Sequence, residues 1–182
     1  MTTIRPGVDS SIETTAQELL SKAGIDSLPI APDKVARLLG LDVEPTQLGE
    51  DVSGVLIIQG GTGSIGYNAQ HSKVRQRFTT AHEIGHYVLH GHEHRLFIDK
   101  RYSVYWRDEA SSTGERLHEV QANQFAAALL MPKHMLLSEL DGIEFDLADE
   151  EEGEKAIAAL AKRFNVSTAA MTYRLLNLGF VF

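Results

Sequence analysis

The stretch RFTTAHEIGHYVLHGHEH, residues Arg77–His94, contains five of the eight histidines in this 182-residue chain. Its centre is the pattern His-Glu-x-x-His, formed by His82, Glu83 and His86. Residues four apart on an α-helix lie on one face, so two imidazoles at this spacing can bind one metal ion. Glu83 directly follows the first imidazole and can take a proton from a water molecule held by the metal. The stretch therefore predicts a helical metal site with Glu83 as general base.

The helix that carries this pattern is predicted to run from about Ser72 to His90, because Gly91 is a strong stop signal. Apolar and small residues recur along it at helical spacing and give it one packed face: Val74, Phe78, Ala81, Gly85, Val88 and Leu89. The pattern also arises by chance on ordinary helices, but its place on an amphipathic helix favours a metal site.

A catalytic zinc site needs a third protein ligand and an open fourth position, and two residues are candidates for that ligand. His92 lies ten residues after His82, and it could reach the metal only if the helix broke at position 89 and the chain folded back. Leu89 stands at that position, on the apolar face of the helix, and favours an unbroken helix. Glu119 lies on the next predicted helix, in EVQAN, and Asn123 follows four residues later on the same face. The Asn123 amide oxygen can accept the second N–H of a ligand imidazole. Glu119 is favoured over His92, with a solvent-facing carboxylate as the alternative.

The last histidines of the stretch form HGHEH, which follows the predicted helix end. Two interpretations are open for this segment, a second metal site and a polar loop, and the loop is favoured. Peptide hydrolysis also needs a group that stabilises an oxyanion. The nearest candidates in the sequence are Tyr102, Tyr105, His94 and His118.

The rest of the chain alternates helical patterns with short β-rich runs. Further helices are predicted at residues 11–24, 31–40, 111–132, 149–164 and 168–178. Strands are predicted at LDVEP and in the runs SGVLIIQG and GSIGYNA, which the turn GGTG joins into a hairpin. Residues 92–111 are predicted to form a loop or flap. These elements predict one α+β domain over residues 1–182 with a small antiparallel sheet, a helical extension at 1–27 and a C-terminal helical subregion at 141–182.

Composition limits the partners and the ligands. The net charge of -8 argues against broad binding to nucleic acid or anionic membranes. The chain has no cysteine, so a metal must be held by imidazoles and carboxylates. The N-terminus lacks the apolar core of a signal peptide, and no apolar run approaches the roughly 20 residues that span a bilayer. We expect a cytoplasmic protein with no membrane partner and no direct nucleic-acid binding.

The strand GSIGYNA directly precedes the histidine helix, and it includes Tyr67 and Asn68. An extended peptide can pair with the exposed edge of a sheet. One expectation is that this strand is such an edge, and that Tyr67 and Asn68 contact a peptide substrate. The alternative is an ordinary hairpin strand whose edge is covered.

Two blocks, RQRFTTAHEIGHYVLH and EVQANQFAAALLMP, together closely resemble the ImmA/IrrE family of bacterial and phage metallopeptidases. The resemblance extends over about residues 28–180. It implies a zincin-like fold with His82, His86 and Glu119 as ligands and Glu83 as general base. The implied cofactor is one Zn²⁺ ion, with Mn²⁺ or another divalent ion as alternatives. The implied substrate is a helix-turn-helix repressor, whose cleavage relieves repression.

Two rival hypotheses remain open. KAIAALAKRFNVSTAAMTYRLLNLG is typical of a helix-turn-helix with its turn at Asn165–Ser167, so a DNA-binding regulator is one rival. Its second helix offers Arg174 to a base, but a run of seven carboxylates at residues 141–152 lies close by, predicted as a solvated loop. The other rival is a protein-binding regulator whose metal site is not hydrolytic. Glu83 argues against it, since a structural site needs no base.

Overall fold

The computed structural model describes residues 9–60, 62–91, 96–100, 114–141 and 150–180. These residues form seven helices: α1 (Ser10–Lys22), α2 (Pro32–Leu38), α3 (Lys73–His90), α4 (Gly114–Leu130), α5 (Lys133–Leu140), α6 (Glu150–Phe164) and α7 (Thr168–Asn177). They also form four strands: β1 (Leu41–Thr46), β2 (Val52–Gln59), β3 (Thr62–Asn68) and β4 (Leu96–Lys100). The elements confirm the predicted α+β class.

The four strands form one mixed sheet in the order β1-β3-β2-β4. Strands β2 and β3 make the predicted hairpin and pair Leu56 with Ile65. Strand β1 runs parallel to β3, with Val43 opposite Ile65, whereas the sequence predicts an antiparallel sheet. The difference arises because β3 lies between β1 and β2. The chain reverses once after β1 and again at the hairpin, so β1 and β3 run in the same direction.

The prediction that β3 is a sheet edge is wrong. Strand β3 is hydrogen-bonded to β1 on one side and to β2 on the other. Strand β4 lies at one end of the sheet, where it pairs antiparallel with β2 and places Phe97 opposite Leu56. The sequence predicts a loop there, because the run LFIDK becomes a strand only through pairing with a partner about 40 residues earlier.

Helices α3 and α4 pack closely, and this contact positions the site. A Cβ atom added to Gly85 on α3 would meet the Ala122 carbonyl oxygen of α4 at 3.1 Å. The two backbones therefore approach more closely than a side chain at position 85 would allow. On its other side α3 covers the sheet, where Ile84 joins Leu56 and Ile65 in the core.

One cluster of buried apolar side chains includes residues from α1 through α7, such as Leu20, Phe125 and Met171. The division into a single domain with two helical subregions stays a prediction. Arg77 on α3 donates to the carbonyl oxygens of Ile30, at 2.6 Å, and Asn165, at 3.1 Å. Arg77 thus ties the turn between α6 and α7 to the histidine helix.

The predicted helix pair at the C-terminus is confirmed as α6 and α7, but Arg174 lies on the buried face of the second helix. Arg174 is only 3% exposed and forms an ion pair with Glu13 of α1. Its Nε also donates to the Met131 carbonyl oxygen at 3.0 Å. A side chain held in this way is not available to contact a base edge, so the feature that favoured DNA binding is absent from this surface.

The helix boundaries differ from prediction in two places. Pro132 ends α4 as predicted, but it also directly precedes α5, which the sequence analysis missed. Helix α6 confirms the helix predicted at 149–164, and its first turn contains Glu150–Glu152, with which the predicted acidic loop at 141–152 overlapped. The rest of the acidic run from 142 lies outside the described residues.

Among the helices that the structure describes, none is long and apolar enough to cross a membrane.

Candidate metal centre

His82 and His86 project from one face of α3, one turn apart, as the spacing predicts. Both side chains are buried, and their Nε2 atoms lie 3.0 Å from each other. Their rings meet edge to face, with an interplanar angle of 81°. Two imidazole nitrogens therefore point at one small region.

Glu119 on α4 completes a group of three donors. Its Oε2 lies 3.3 Å from Nε2 of His82, and its Oε1 lies 3.1 Å from Nε2 of His86. One ligand atom from each residue lies within 4.8 Å of the others. The Glu119 side chain is 39% exposed, so the group is buried on the α3 side and open towards Glu119. The rival ligand, His92, lies outside the described residues.

The electrostatics of the group favour the forms that bind metal. Burial lowers the pKa of His86, and this outweighs the hydrogen bond and charge of Glu119, which raise it. Burial alone would raise the pKa of Glu119, but hydrogen bonds from His82 and His86 hold it well below its ordinary value. A neutral imidazole and an ionised carboxylate are the forms that ligate.

Asn123 orients the His82 ring. Its Oδ1 lies 3.1 Å from Nδ1 of His82, so an N–H there donates to the amide oxygen. With a metal ion bound, that tautomer would place the lone pair of His82 on Nε2, in place of the proton that Nε2 shares with Glu119 in the metal-free protein. Two nitrogens and a carboxylate in this arrangement, with no thiolate, fit a zinc-class divalent cation. Asn123 is the imidazole partner predicted from its place four residues after Glu119.

Aromatic rings pack against the group, and one of them, Phe97, is not predicted by the sequence pattern. Phe97 of β4 stacks on His86, with ring centroids 4.6 Å apart and an interplanar angle of 25°. His90 lies 5.9 Å from His86 between ring centroids, and it stacks on His118 at 3.9 Å. Phe97 stands in the segment predicted as a loop, so no local signal pointed to it. His118 is thus placed near the centre, whereas Tyr102, Tyr105 and His94 lie outside the described residues.

Glu83 is fully buried, at 0% exposure, between α3 and the sheet. The backbone of Gly54 in β2 lies directly beside it. A Cβ atom added to Gly54 would be 2.8 Å from Oε1 of Glu83. The carboxylate next to the first imidazole is therefore confined by a strand rather than exposed to bulk water.

Tyr67 and Asn68 stand on the central strand β3. Asn68 is buried, and its amide donates to the carbonyl oxygens of Gly49, at 3.2 Å, and Val52, at 2.9 Å. Its Oδ1 accepts from the Gln70 amide at 3.0 Å. These bonds anchor the loop between β1 and β2. A substrate contact through Tyr67 or Asn68 stays a prediction.

Two imidazoles one turn apart on a helix that packs under a sheet, with a carboxylate from the next helix, define a zincin-like metal centre. The chain belongs to the IrrE N-terminal-like domain family of peptidases (family M78), whose model matches residues 36–176. It is 30% identical over 174 residues to the radiation response metalloprotease IrrE of Deinococcus radiodurans, covering 88% of this chain and 48% of that protein.

Two further comparisons give a second relative and a similar fold. The chain is 26% identical over 149 residues to the uncharacterized immunity region protein 2 of Bacillus phage phi105, covering 82% and 85% of the two chains. Its fold is similar to that of a Mycobacterium tuberculosis transcriptional regulator, with a TM-score of 0.63 at 16% identity. That likeness covers 94% of this chain and 48% of the other. The chain thus spans about half the length of the Deinococcus relative and of this solved structure.

Proposed function

We propose that this chain is a divalent-metal-dependent endopeptidase that makes limited cuts in a partner protein. The observation that carries the proposal is the convergence of His82, His86 and Glu119 within 4.8 Å, with Glu83, which directly follows His82, fully buried. A purely structural site needs no acid-base group, so the placement of Glu83 favours hydrolysis over a regulator with a non-hydrolytic metal. Family membership supports the same activity.

In this proposal His82, His86 and Glu119 hold the ion, and Asn123 orients His82. Zn²⁺ suits this donor set, and Mn²⁺ or another divalent ion is the alternative. When bound, the ion polarises the scissile carbonyl and lowers the pKa of a nearby water. A substrate would reach the ion from the side on which Glu119 is partly exposed.

Glu83 is the general base and then the general acid. Its carboxylate takes a proton from the attacking water and later donates that proton to the leaving amine. Gly54 of β2 confines this carboxylate from the side of the sheet. A buried carboxylate that is held in place does not need to be reoriented during proton transfer.

The substrate strand is proposed to pair with β4 rather than β3. Strand β4 uses one edge to pair with β2, and no other strand of the described chain pairs with it. Phe97 of β4 stacks on His86, so this strand borders the metal centre directly. An extended peptide added along β4 would lie beside the proposed ligands, with main-chain hydrogen bonds supplying affinity.

The partner is proposed to be a helix-turn-helix repressor, cleaved in an extended linker. The family resemblance motivates this choice, and the net charge of -8 complements a basic DNA-binding protein. A cleft that takes an extended strand excludes intact helical domains, which favours a linker as the cut site. A cytoplasmic location is part of the same proposal.

The test is to incubate the protein with a helix-turn-helix repressor encoded beside it, with added Zn²⁺ and then with chelator, and to map products by mass spectrometry. A single metal-dependent cut, absent in Glu83→Gln, is expected. An intact repressor together with indiscriminate digestion of unfolded casein would instead identify a general peptidase.

A further inference from the structure

Gly54 of β2 lies directly against the proposed catalytic base. A Cβ atom at this position would lie 2.4 Å from Cγ2 of Thr79 and 2.8 Å from Oε1 of Glu83. Real Cβ atoms essentially never show such distances, so the volume of a methyl group is already filled by α3 side chains. The φ angle of Gly54 is not positive, so space rather than backbone conformation requires glycine here.

The strand cannot easily retreat from α3 to make room for a side chain. On one edge β2 pairs Gly54 with Tyr67 of β3. On the other edge a bulge shifts the register, so that Val52 faces Lys100 while Gly54 faces Asp99. The extra residue, Ser53, is buried, and its Oγ accepts a hydrogen bond of 2.8 Å from Nη2 of Arg75 on α3. Strand and helix are therefore tied together next to Gly54.

We infer that Gly54 is a positioning residue, whose missing side chain leaves the space in which the Glu83 carboxylate is held. Of the two α3 neighbours, Thr79 is fully buried and β-branched, so its side chain has little freedom to turn. The Glu83 carboxylate is the end of a longer, more flexible side chain. A methyl group at position 54 would therefore displace the carboxylate. The inference rests on the proposed role of Glu83.

The decisive variant is Gly54→Ala, compared with the matched control Gly63→Ala. A Cβ on Gly63 of β3 would meet Cδ2 of Leu41 at 2.4 Å, a similar clash that involves no proposed site residue. Gly54→Ala is expected to lower kcat on the order of 100-fold, as for a base misplaced by about 1 Å, with KM and zinc affinity unchanged. Gly63→Ala is expected to keep kcat even where its melting temperature falls.

A double variant separates misplacement of the base from general damage. Thr79→Ser removes the methyl group that a Cβ at position 54 would strike first. Gly54→Ala/Thr79→Ser is therefore expected to regain thermal stability while kcat stays low, because the contact with Glu83 persists. Recovery of kcat together with stability would overturn the inference, since packing alone would then explain the loss.

The ¹³C chemical shift of the Glu83 carboxyl group reports its surroundings without requiring catalysis. It is measured at fixed pH, and the signal is assigned by its absence in Glu83→Gln. The signal is expected to move in Gly54→Ala and to stay in place in Gly63→Ala, in zinc-free and zinc-loaded protein alike. An unmoved signal in Gly54→Ala overturns the positioning role. If the wild type cleaves no substrate, the proposed function fails, but this measurement still tests whether Gly54 places Glu83.

Discussion

The amide oxygen of Asn123 lies 3.1 Å from Nδ1 of His82, so one helix orients an imidazole that another helix carries. Removing this bond leaves the His82 ring free to rotate and to change tautomer. Asn123→Ala is therefore expected to weaken zinc binding on the order of 10- to 100-fold without removing a ligand. Titration against a competing chelator measures the change. Affinity equal to that of the wild type would show that Asn123 does not orient the ring.

The three converging donors predict one zinc-class ion per chain. His82→Ala, His86→Ala and Glu119→Ala are each expected to abolish stoichiometric metal, because two remaining ligands do not hold the ion tightly. His92→Ala serves as the control and is expected to retain metal. Elemental analysis of the purified variants decides the matter. If His92→Ala loses the metal and Glu119→Ala retains it, then His92 rather than Glu119 is the third ligand.

Glu83 separates binding from hydrolysis. Glu83→Gln is nearly isosteric, so the variant is expected to keep its fold and its metal. It is expected to lose measurable cleavage, since an amide cannot accept the proton from water. Metal content and turnover are measured on the same sample. Undiminished turnover by this variant would assign the base to another residue.

Acid is expected to release the metal and to destabilise the metal-free protein. The pKa of His86 is lowered by burial, so release should occur below the ordinary imidazole range near about 6.5, while Glu119 stays ionised. Both groups have folded-state pKa values below their unfolded values, but only His86 acts near neutral pH, because Glu119 is ionised in both states above its ordinary pKa of about 4.5. The unfolded chain therefore binds more protons, and stability is lost as pH falls. The free energy of unfolding of the metal-free protein is measured with denaturant at about pH 8 and about pH 5, on either side of the ordinary imidazole pKa. It is expected to be smaller at the lower pH. Stability that rises as the pH falls across this window would contradict the prediction.

The ion pair between Arg174 and Glu13 joins the last helix to the first. Arg174→Ala leaves Glu13 without its partner and is expected to cost up to about 3–5 kcal/mol in the free energy of unfolding. Arg163→Ala removes a surface pair with Glu139 and is expected to cost about 0–1 kcal/mol. Denaturant titration compares the two. Equal losses would show that the buried pair contributes no more than an exposed one.

A gel shift at moderate salt tests the DNA-binding rival with the same variant. Because Arg174 is buried, neither the wild type nor Arg174→Ala is expected to retard duplex DNA. Specific retardation that Arg174→Ala abolishes without unfolding would restore the helix-turn-helix hypothesis.

Local periodicity was enough to predict helix α3 and the two imidazoles on its face. The spacing of His82 and His86 fixes their relative direction wherever a helix forms, because the helix repeats every 3.6 residues. The hairpin of β2 and β3 was equally local, since Gly60 supplies the positive φ of its turn. Asn123 could be predicted as a partner of an imidazole for the same reason, from its place four residues after Glu119.

Only the tertiary structure decided which distant residues meet this helix. Glu119 reaches the imidazoles because Gly85 lets α4 approach α3, and neither spacing nor composition determines that approach. Phe97 and the order of the strands were unpredictable, because a short run such as LFIDK becomes a strand only when it pairs with another strand. Arg174 likewise occupies the place of an exposed recognition residue in the sequence pattern. In the structure it is buried and pairs with Glu13, 161 positions earlier in the chain. Helical spacing acts within a few residues, whereas these contacts form only when the whole chain buries its apolar surface.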